Sequence, residues 1–246
     1  HDALPIYCSS EFNEVTDDSR LSRASHEYTV RYDKLNVMTM EVGCAAAAPC
    51  TSSSCLHNVS SISIMPRVLS YDIECYSKKW TFPNPNNIWD EVFIITASVM
   101  DRDGTIRNTA FIRHGYSGSR IEDTTIVTCE NEEELLIKFQ EFIIETNPEI
   151  CIGYNTDGFD NPYITQRLYN LGLQWMNISK LKNSTITTRR ANKISTNTTQ
   201  KFMDRNKREA GHEYLKMAGR LHIDLLKHMV SNYKLRSYSL DAVSRM

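Results

Sequence analysis

Three stretches with strand-like residue patterns follow one another between residues 67 and 112 of the chain. The first covers residues 67–75, the second is the apolar, β-branched run at 92–99, and the third covers 105–112. A turn at residues 101–104 joins the last two stretches. Because the connections are short, the pattern predicts three adjacent strands that form an antiparallel meander.

A helical period follows at residues 131–146, where Asn131 and Glu134 have the spacing of an N-terminal cap. The predicted apolar stripe consists of Leu135, Leu136, Phe139, Phe142 and Ile143. Pro148 ends this helix, and residues 150–154 form a short apolar strand. If the helix is a crossover, this strand lies parallel to the first one.

A second helix is predicted to begin where Asp160 or Asn161 caps its first turn and to end at Gly172. Ile164, Leu168 and Leu171 would form its buried face. The chain then closes with a strand at residues 220–224 and a helix at 225–232. Strands that alternate with helices in this way indicate an α/β fold.

The length of 246 residues allows one large domain or two small ones, and the net charge of −2 excludes a chain that is basic throughout. Residues 1–66 are predicted to be the end of an N-terminal domain and a linker, and residues 67–246 a second domain. The first residue is not an initiator Met, so we expect a fragment. No apolar run approaches the roughly 18 residues that a membrane helix requires.

Seven cysteines are scattered along the chain, and this odd number favours free thiols in a reducing compartment. Cys75 and Cys151 lie in apolar strand-like runs, so we expect both to be buried. The alternative is a zinc site formed by Cys44, Cys50, Cys55 and His57. That alternative is weaker because the spacing contains no Cys-x-x-Cys pair.

Two carboxylates stand one residue apart on the first predicted strand, Asp72 and Glu74. Side chains alternate across a strand, so both point to one face, roughly 7 Å apart along the backbone. Two acids on one face are costly to bury unless a cation lies between them. Oxygen ligands suit a hard divalent metal, whereas an exposed, solvated face is the alternative interpretation.

A third carboxylate, Asp160, is predicted at a junction between a strand and a helix. It is either a plain helix cap or a further metal ligand. Open α/β sheets bind ligands at the carboxyl ends of their strands, where all three acids are expected to lie. Asp224 ends the last predicted strand, and it is either a fourth acid near this place or a structural cap.

A basic segment between residues 180 and 220 contains eleven Lys or Arg residues and three Asp or Glu residues. Its composition is otherwise polar and rich in Thr and Asn. Two interpretations stand side by side. The segment is either a flexible surface insertion or a hairpin that follows a phosphate backbone.

Together these segments closely resemble the 3′-5′ proofreading exonuclease domain of family B DNA polymerases, most of all the delta-type enzymes of eukaryotes and large DNA viruses. Residues 68–75, with Asp72-Ile73-Glu74 at their centre, match the first exonuclease motif, and residues 82–85 are similar to the loop that follows it. Residues 153–163 match the second motif. The resemblance covers roughly residues 65–246 and includes the segments at 219–224 and 233–238.

The resemblance implies an α/β, ribonuclease H-like exonuclease fold, with a mixed sheet and flanking helices, preceded by a partial N-terminal domain. It implies two-metal hydrolysis of the 3′-terminal phosphodiester of DNA. The catalytic residues would be the ligands of two Mg²⁺ or Mn²⁺ ions, namely Asp72, Glu74 and Asp160.

The resemblance also assigns substrate-binding positions, which are Ile73, Asn155 and Phe159. Phe159 is equally well explained as a core residue. The partners implied are a single-stranded 3′ end of a DNA primer-template and, for the full-length parent, dNTPs and a processivity factor. The implied location is the nucleus of a eukaryotic cell or a viral replication site, with no membrane contact and no secretion.

One departure from the family pattern concerns its third exonuclease motif, Tyr-x-x-x-Asp. No Tyr of this chain is followed by Asp four positions later, and Met246 precedes the place where that motif is expected. We therefore predict a truncated piece of a DNA-directed DNA polymerase, impaired as a nuclease on its own. The alternatives are a stand-alone ribonuclease H-like nuclease and a non-catalytic nucleic-acid-binding remnant.

Overall fold

A computed structural model describes residues 65–77, 81–114, 122–190 and 213–246, and short segments between residues 6 and 37. The chain divides into two compact units, residues 1–65 with 181–183, and residues 66–180 with 184–246. The strands described in the first unit are β1 (Ile6–Cys8), β2 (Asn13–Glu14), β3 (Tyr28–Thr29) and β4 (Leu35–Val37). β1 pairs with β4 and β2 with β3, both antiparallel. The four residues of the alternative zinc site lie outside the described residues.

The second unit is built on a mixed sheet of six strands. In chain order these are β5 (Val68–Cys75), β6 (Val92–Met100), β7 (Ile106–Arg113), β8 (Thr124–Cys129), β9 (Ile150–Gly153) and β12 (Leu221–Asp224). Their spatial order is β12-β9-β5-β6-β7-β8. β5, β6 and β7 form the predicted antiparallel meander, whereas β8, which lies parallel to β7, was not predicted.

Four helices are described in this unit: α1 (Glu132–Thr146), α2 (Asp160–Asn170), α3 (Leu225–Asn232) and α4 (Leu240–Ser244). The predicted cap of α1 is confirmed, because Asn131 Oδ1 accepts a hydrogen bond from the backbone N–H of Glu134 at 2.9 Å. The Glu134 carboxylate accepts from the N–H of Glu130 and not from that of Asn131. Asn147 ends α1 in the left-handed conformation.

The core lies between the sheet and the apolar face of α1. Of the predicted stripe, Phe142 is partly buried, and the fully buried members are Leu135, Leu136, Phe139 and Ile143. Cys151 is a buried free thiol, as predicted, and Cys75 is partly buried. Burial of each large apolar side chain contributes roughly 1.5–3 kcal/mol, so this layer holds the sheet and α1 together.

The basic segment contains two paired strands, β10 (Thr187–Arg190) and β11 (Glu213–Lys216), which run antiparallel. Of the two interpretations of this segment, the pairing agrees with a hairpin. Residues 191–212 lie outside the described residues. The role of the hairpin toward DNA stays a prediction.

Three strands of the sheet run in the same direction: β9 lies between β5 and β12 and is parallel to both. Their carboxyl ends therefore meet at one edge of the sheet, as the crossover through α1 predicts. β5 pairs with β9 only as far as Ser70, and its last residues extend beyond that pairing. The predicted α/β architecture of a mixed sheet with flanking helices is confirmed. In the described part of the chain, no helix is long and apolar enough to cross a membrane.

Candidate active site

Asp72 and Glu74 lie near the C-terminal end of β5, beyond the residues that pair with β9, and point to the same face. Tyr71 and Ile73, which alternate with them, are buried in the core, while both acids are exposed. The strand period thus places the two carboxylates on one face, as the sequence predicts. Beyond Ser70 the backbone of β5 has no β9 partner, so its N–H groups on that side need another acceptor.

Asp160 supplies that acceptor. It is the first residue of α2, its side chain is 1% exposed, and its Oδ1 accepts a hydrogen bond from the N–H of Ile73 at 3.1 Å. The prediction that Asp160 or Asn161 caps α2 is wrong. The N-cap residue is Phe159, whose side chain makes no cap hydrogen bond, and Asn161 Oδ1 instead accepts from the hydroxyl of Tyr71 at 2.6 Å.

The carboxyl groups of Asp160 and Asp72 lie close enough for each to affect the pKa of the other. Burial, followed by the charge of Asp72, raises the pKa of Asp160 to about 7. Desolvation also raises the pKa of Asp72, although the neighbouring Asp160 works in the opposite direction. Burial and the charge of Asp72 therefore favour the protonated form of Asp160 up to about neutral pH.

Glu74 stands outside this pair. Within the described ranges, no group of three or more Asp, Glu, His or Cys side chains is arranged to hold a metal ion. Glu74 is exposed next to an irregularity in the β5–β6 register, between Glu74 and Cys75. The structure thus brings together two of the three predicted carboxylates and leaves the third on the same strand face.

Asp224 agrees with both roles considered for it, because its charge contributes to the raised pKa of Asp160 and its side chain is a structural cap. Its Oδ1 accepts from the N–H of Leu226 at 3.0 Å, which caps α3, and from the N–H of Asn155 at 2.8 Å. Its Oδ2 accepts from the N–H of Asp157 at 3.3 Å. The carboxylate therefore fixes the loop between β9 and α2 onto the start of α3.

The predicted substrate-binding residues lie in or beside this loop. Asn155 adopts a left-handed backbone conformation with φ 64°, and Phe159 is partly buried against the core. Phe159 makes an edge contact with Phe82 at a centroid distance of 5.4 Å, and Phe82 is 76% exposed. The side chain of Ile73 is buried, so only its backbone faces the acids. The exposed Phe82 adds an aromatic surface that was not among the predicted site residues.

A buried ion pair fixes the loop that carries Phe82, and it was not predicted from sequence. Arg167 on α2 donates two hydrogen bonds to Glu132 on α1, from Nε at 2.8 Å and from Nη2 at 2.6 Å. Its Nη1 donates to the backbone oxygens of Pro85 and Asn87. One guanidinium therefore joins both helices to the loop between β5 and β6. A polar residue on a helix gives no sequence signal for such a distant partner.

Comparison with known proteins agrees with this architecture. A family model described as DNA polymerase family B, exonuclease domain, matches residues 19–243. The chain is 35% identical over 183 residues to the DNA polymerase delta catalytic subunit of Glycine max, which is 72% of this chain and 15% of that protein. The corresponding subunit of Candida albicans is 33% identical over 182 residues, again 72% of this chain and 16% of that protein.

A third relative, the delta catalytic subunit of Schizosaccharomyces pombe, is 32% identical over 180 residues, with 72% of this chain and 15% of that protein covered. The chain thus spans about a sixth or less of the length of these curated relatives. The family model covers nearly all of the second unit. The chain belongs to the exonuclease-domain family of the family B DNA polymerases.

Proposed function

We propose that this chain is the proofreading segment of a delta-type replicative DNA polymerase and hydrolyses the 3′-terminal phosphodiester of DNA. The observation that supports this most is the hydrogen bond from the N–H of Ile73 to Asp160 Oδ1 at 3.1 Å, which joins the first and second exonuclease motifs and holds Asp160 near Asp72. A buried acid close to a second acid destabilises the fold, and acids perturbed in this way occur mainly at functional sites. The alternative of a simple helix cap does not account for it.

The acids at the free end of β5 fit a divalent metal. Exonuclease domains of family B polymerases generally use divalent metal ions. Asp72, Glu74 and Asp160 offer the oxygen ligands that Mg²⁺ and Mn²⁺ prefer, and a bound cation would offset the burial and the Asp72 charge that raise the pKa of Asp160. When bound, two such ions supply Lewis acidity toward the water and toward the leaving 3′ oxygen.

The other residues of the chain bind and orient the DNA end in this proposal. Phe159 and the exposed Phe82 present an aromatic surface on which single-stranded bases stack. Asn155 lies at the carboxyl end of β9 and contacts the terminal nucleotides. The N–H of Ile73 holds the Asp160 carboxyl in place, so Ile73 acts through its backbone.

The activity of a whole polymerase goes beyond this segment, since the chain spans about a sixth or less of its relatives. We include in the proposal that the full-length protein adds dNTPs to a primer, works with a processivity factor, and acts in a nucleus or at a viral replication site. Tests of activity therefore use the full-length protein.

The test replaces the acids of the first motif with Ala, as Asp72→Ala with Glu74→Ala. In the full-length protein, we expect this variant to lose the trimming of a 5′-labelled single-stranded oligonucleotide in Mg²⁺, while the addition of dNTPs to an annealed primer continues. Removal of metal ligands costs at least the several kcal/mol that metal ions contribute to such reactions. Loss of both activities together, or trimming that continues, would contradict the proposal.

A non-catalytic nucleic-acid-binding module is the second candidate, because Glu74 lies outside the Asp72–Asp160 pair and no set of three ligands is formed in the described ranges. Calorimetric titration of the chain with Mn²⁺ separates the two candidates. Binding that disappears in Asp72→Asn supports the nuclease. Binding of a single-stranded oligonucleotide without any Mn²⁺ affinity favours the module.

A further inference from the structure

Strand β12 directs two alternate residues, His222 and Asp224, toward the loop between β9 and α2. Asp224 binds the backbone of this loop, as described above. His222 contacts its side chains instead. Its Nε2 lies 3.3 Å from Thr156 Oγ1 and 3.5 Å from Asn161 Nδ2, and its Nδ1 lies 3.3 Å from Asp157 Oδ1. One imidazole thus joins three side chains that belong to the second exonuclease motif.

The hydrogen-bond directions in this cluster are consistent with one another. Asn161 Oδ1 accepts from the Tyr71 hydroxyl, so the amide NH₂ of Asn161 faces His222. His222 Nε2 is then the acceptor, and the proton of a neutral imidazole lies on Nδ1, toward Asp157. In this assignment Nε2 accepts from Thr156 and Asn161, and Nδ1 faces Asp157 Oδ1 at 3.3 Å without a hydrogen bond.

Asp157 is buried and charged. Its Oδ2 lies 2.5 Å from Lys227 Nζ on α3, and its Oδ1 has no hydrogen bond and faces His222. Burial acts to raise the pKa of Asp157, but His222 and Lys227 outweigh it and hold the pKa below its usual range. An ionised carboxylate at this depth requires these partners, so the loop is fixed to both β12 and α3.

The cluster ends next to the acids of the candidate site. Asn161 follows Asp160 directly, and Tyr71 precedes Asp72 directly, and these two flanking residues share a 2.6 Å hydrogen bond. A displacement of Asn161 therefore moves the first turn of α2 against β5. The hydrogen bond from Ile73 to Asp160 lies in that same turn.

We infer that His222 is a positioning residue for the nuclease, which keeps the first turn of α2 in the place where Asp160 meets Asp72. The inference rests on the proposed function for its catalytic consequence. Its geometric part is independent of that function. His222 itself touches none of the three acids assigned to metal binding and acts through Asn161, Thr156 and Asp157.

Two substitutions at this position separate positioning from simple packing. His222→Phe keeps a ring of similar size but removes every polar contact, whereas His222→Gln keeps one donor and one acceptor. Because misplacement by about 1 Å costs roughly a hundredfold in rate, we expect His222→Phe to lower kcat for trimming in the full-length protein by about tenfold or more. KM for the oligonucleotide should stay within about twofold, and His222→Gln should recover most of kcat.

A second measurement follows the geometry directly. Amide hydrogen exchange of the Ile73 N–H, measured without metal in the 246-residue chain, reports the hydrogen bond from this N–H to Asp160. We expect faster exchange in His222→Phe and near-normal exchange in His222→Gln. Leu226→Ala is the matched control, since it removes a buried side chain from the adjacent helix without removing any of these polar contacts.

The possible outcomes are distinct. Unchanged Ile73 exchange in His222→Phe overturns the inference, and so does an equal effect of His222→Phe, His222→Gln and Leu226→Ala. Trimming that persists in Asp72→Asn shows instead that the proposed function is wrong. In that case, faster Ile73 exchange in His222→Phe alone would still support the positioning of α2 by His222.

Discussion

The Oδ1 atom of Asp160 lies 3.1 Å from the backbone nitrogen of Ile73, so a helix residue completes the hydrogen bonding of the strand that carries Asp72 and Glu74. This bond has a local and an electrostatic effect. It satisfies an N–H that β9 is too short to reach. It also holds the buried carboxyl group of Asp160 near Asp72, whose charge adds to burial in disfavouring ionisation of Asp160.

The first prediction concerns the pH dependence of folding. The pKa of Asp160 is about 7 in the folded chain, well above the roughly 3.9 of an unfolded Asp, so the folded state holds this proton more tightly. Its contribution is fully present below about pH 4 and is lost as pH rises through 7. In EDTA, we expect the free energy of unfolding to fall between these pH values by an amount on the order of a few kcal/mol.

Asp160→Asn provides the comparison, because the amide keeps an oxygen for the Ile73 N–H but carries no charge. Urea denaturation at pH 5 and pH 8 should show a smaller loss of stability in this variant than in the native chain, and greater stability at pH 8. Glu141→Gln, an exposed position on α1, should behave like the native chain. Identical pH profiles for Asp160→Asn and the native chain would rule out this role of Asp160.

The elements that sequence predicts well are those fixed by local pattern. The stripe and cap of α1, the meander of β5 to β7, and the span of α3 all follow from residues that are close together in the chain. β8 was not predicted, although five of its six residues are β-branched Thr, Ile or Val, which favour a strand. Its parallel pairing with β7 depends on residues distant in the chain and gives no sequence signal.

At the candidate site, the sequence predicts the elements in which residues lie but not what their side chains contact. The place of Asp160 at the start of α2 was predicted, but its partner is Ile73, which lies 87 positions earlier in the chain. In the same way, Arg167 and Glu132 are 35 positions apart and give no joint pattern. Contacts between residues this far apart in the sequence cannot be predicted from a single sequence.

The second prediction concerns the buried pair of Arg167 and Glu132. Glu132→Gln leaves a guanidinium buried without a charged partner, which costs about 3–5 kcal/mol of unfolding free energy. Arg167→Met should cost a similar amount, and the double variant clearly less than the sum. Urea denaturation of all four proteins gives the coupling energy. The exposed pair of Arg245 and Asp241 is the control and should show a coupling of less than about 1 kcal/mol.

The third prediction concerns Gly153, where β9 meets the loop of the second motif. A Cβ atom at this position would lie 2.2 Å from Thr156 Cγ2 and 3.2 Å from the backbone oxygen of Tyr71. Because Thr156 is buried and stiff, Gly153→Ala should destabilise the fold by about 1–3 kcal/mol. Thermal or urea unfolding measures the loss.

Thr156→Ser tests the cause, since it removes that methyl group and keeps the hydroxyl that contacts His222. Gly153→Ala combined with Thr156→Ser should recover part of the stability lost in Gly153→Ala. Gly104→Ala is the control, because Gly104 has a positive φ of 85° but open space around it. The stability lost in Gly104→Ala comes from backbone strain, so Thr156→Ser should not reduce that loss. Equal rescue of both glycine variants would exclude the steric explanation.

The fourth prediction concerns the aromatic surface of Phe82 and Phe159. Stacking of one base on an aromatic side chain contributes roughly 1–3 kcal/mol, so Phe82→Ala should weaken the binding of a short single-stranded oligonucleotide by about fivefold or more. Fluorescence anisotropy at a fixed salt concentration measures Kd. Tyr169→Ala is a matched control, because Tyr169 and Phe82 are both 76% exposed, while Tyr169 is not part of this aromatic pair. If Tyr169→Ala weakens binding as much as Phe82→Ala, general surface hydrophobicity accounts for the binding and stacking at this pair does not.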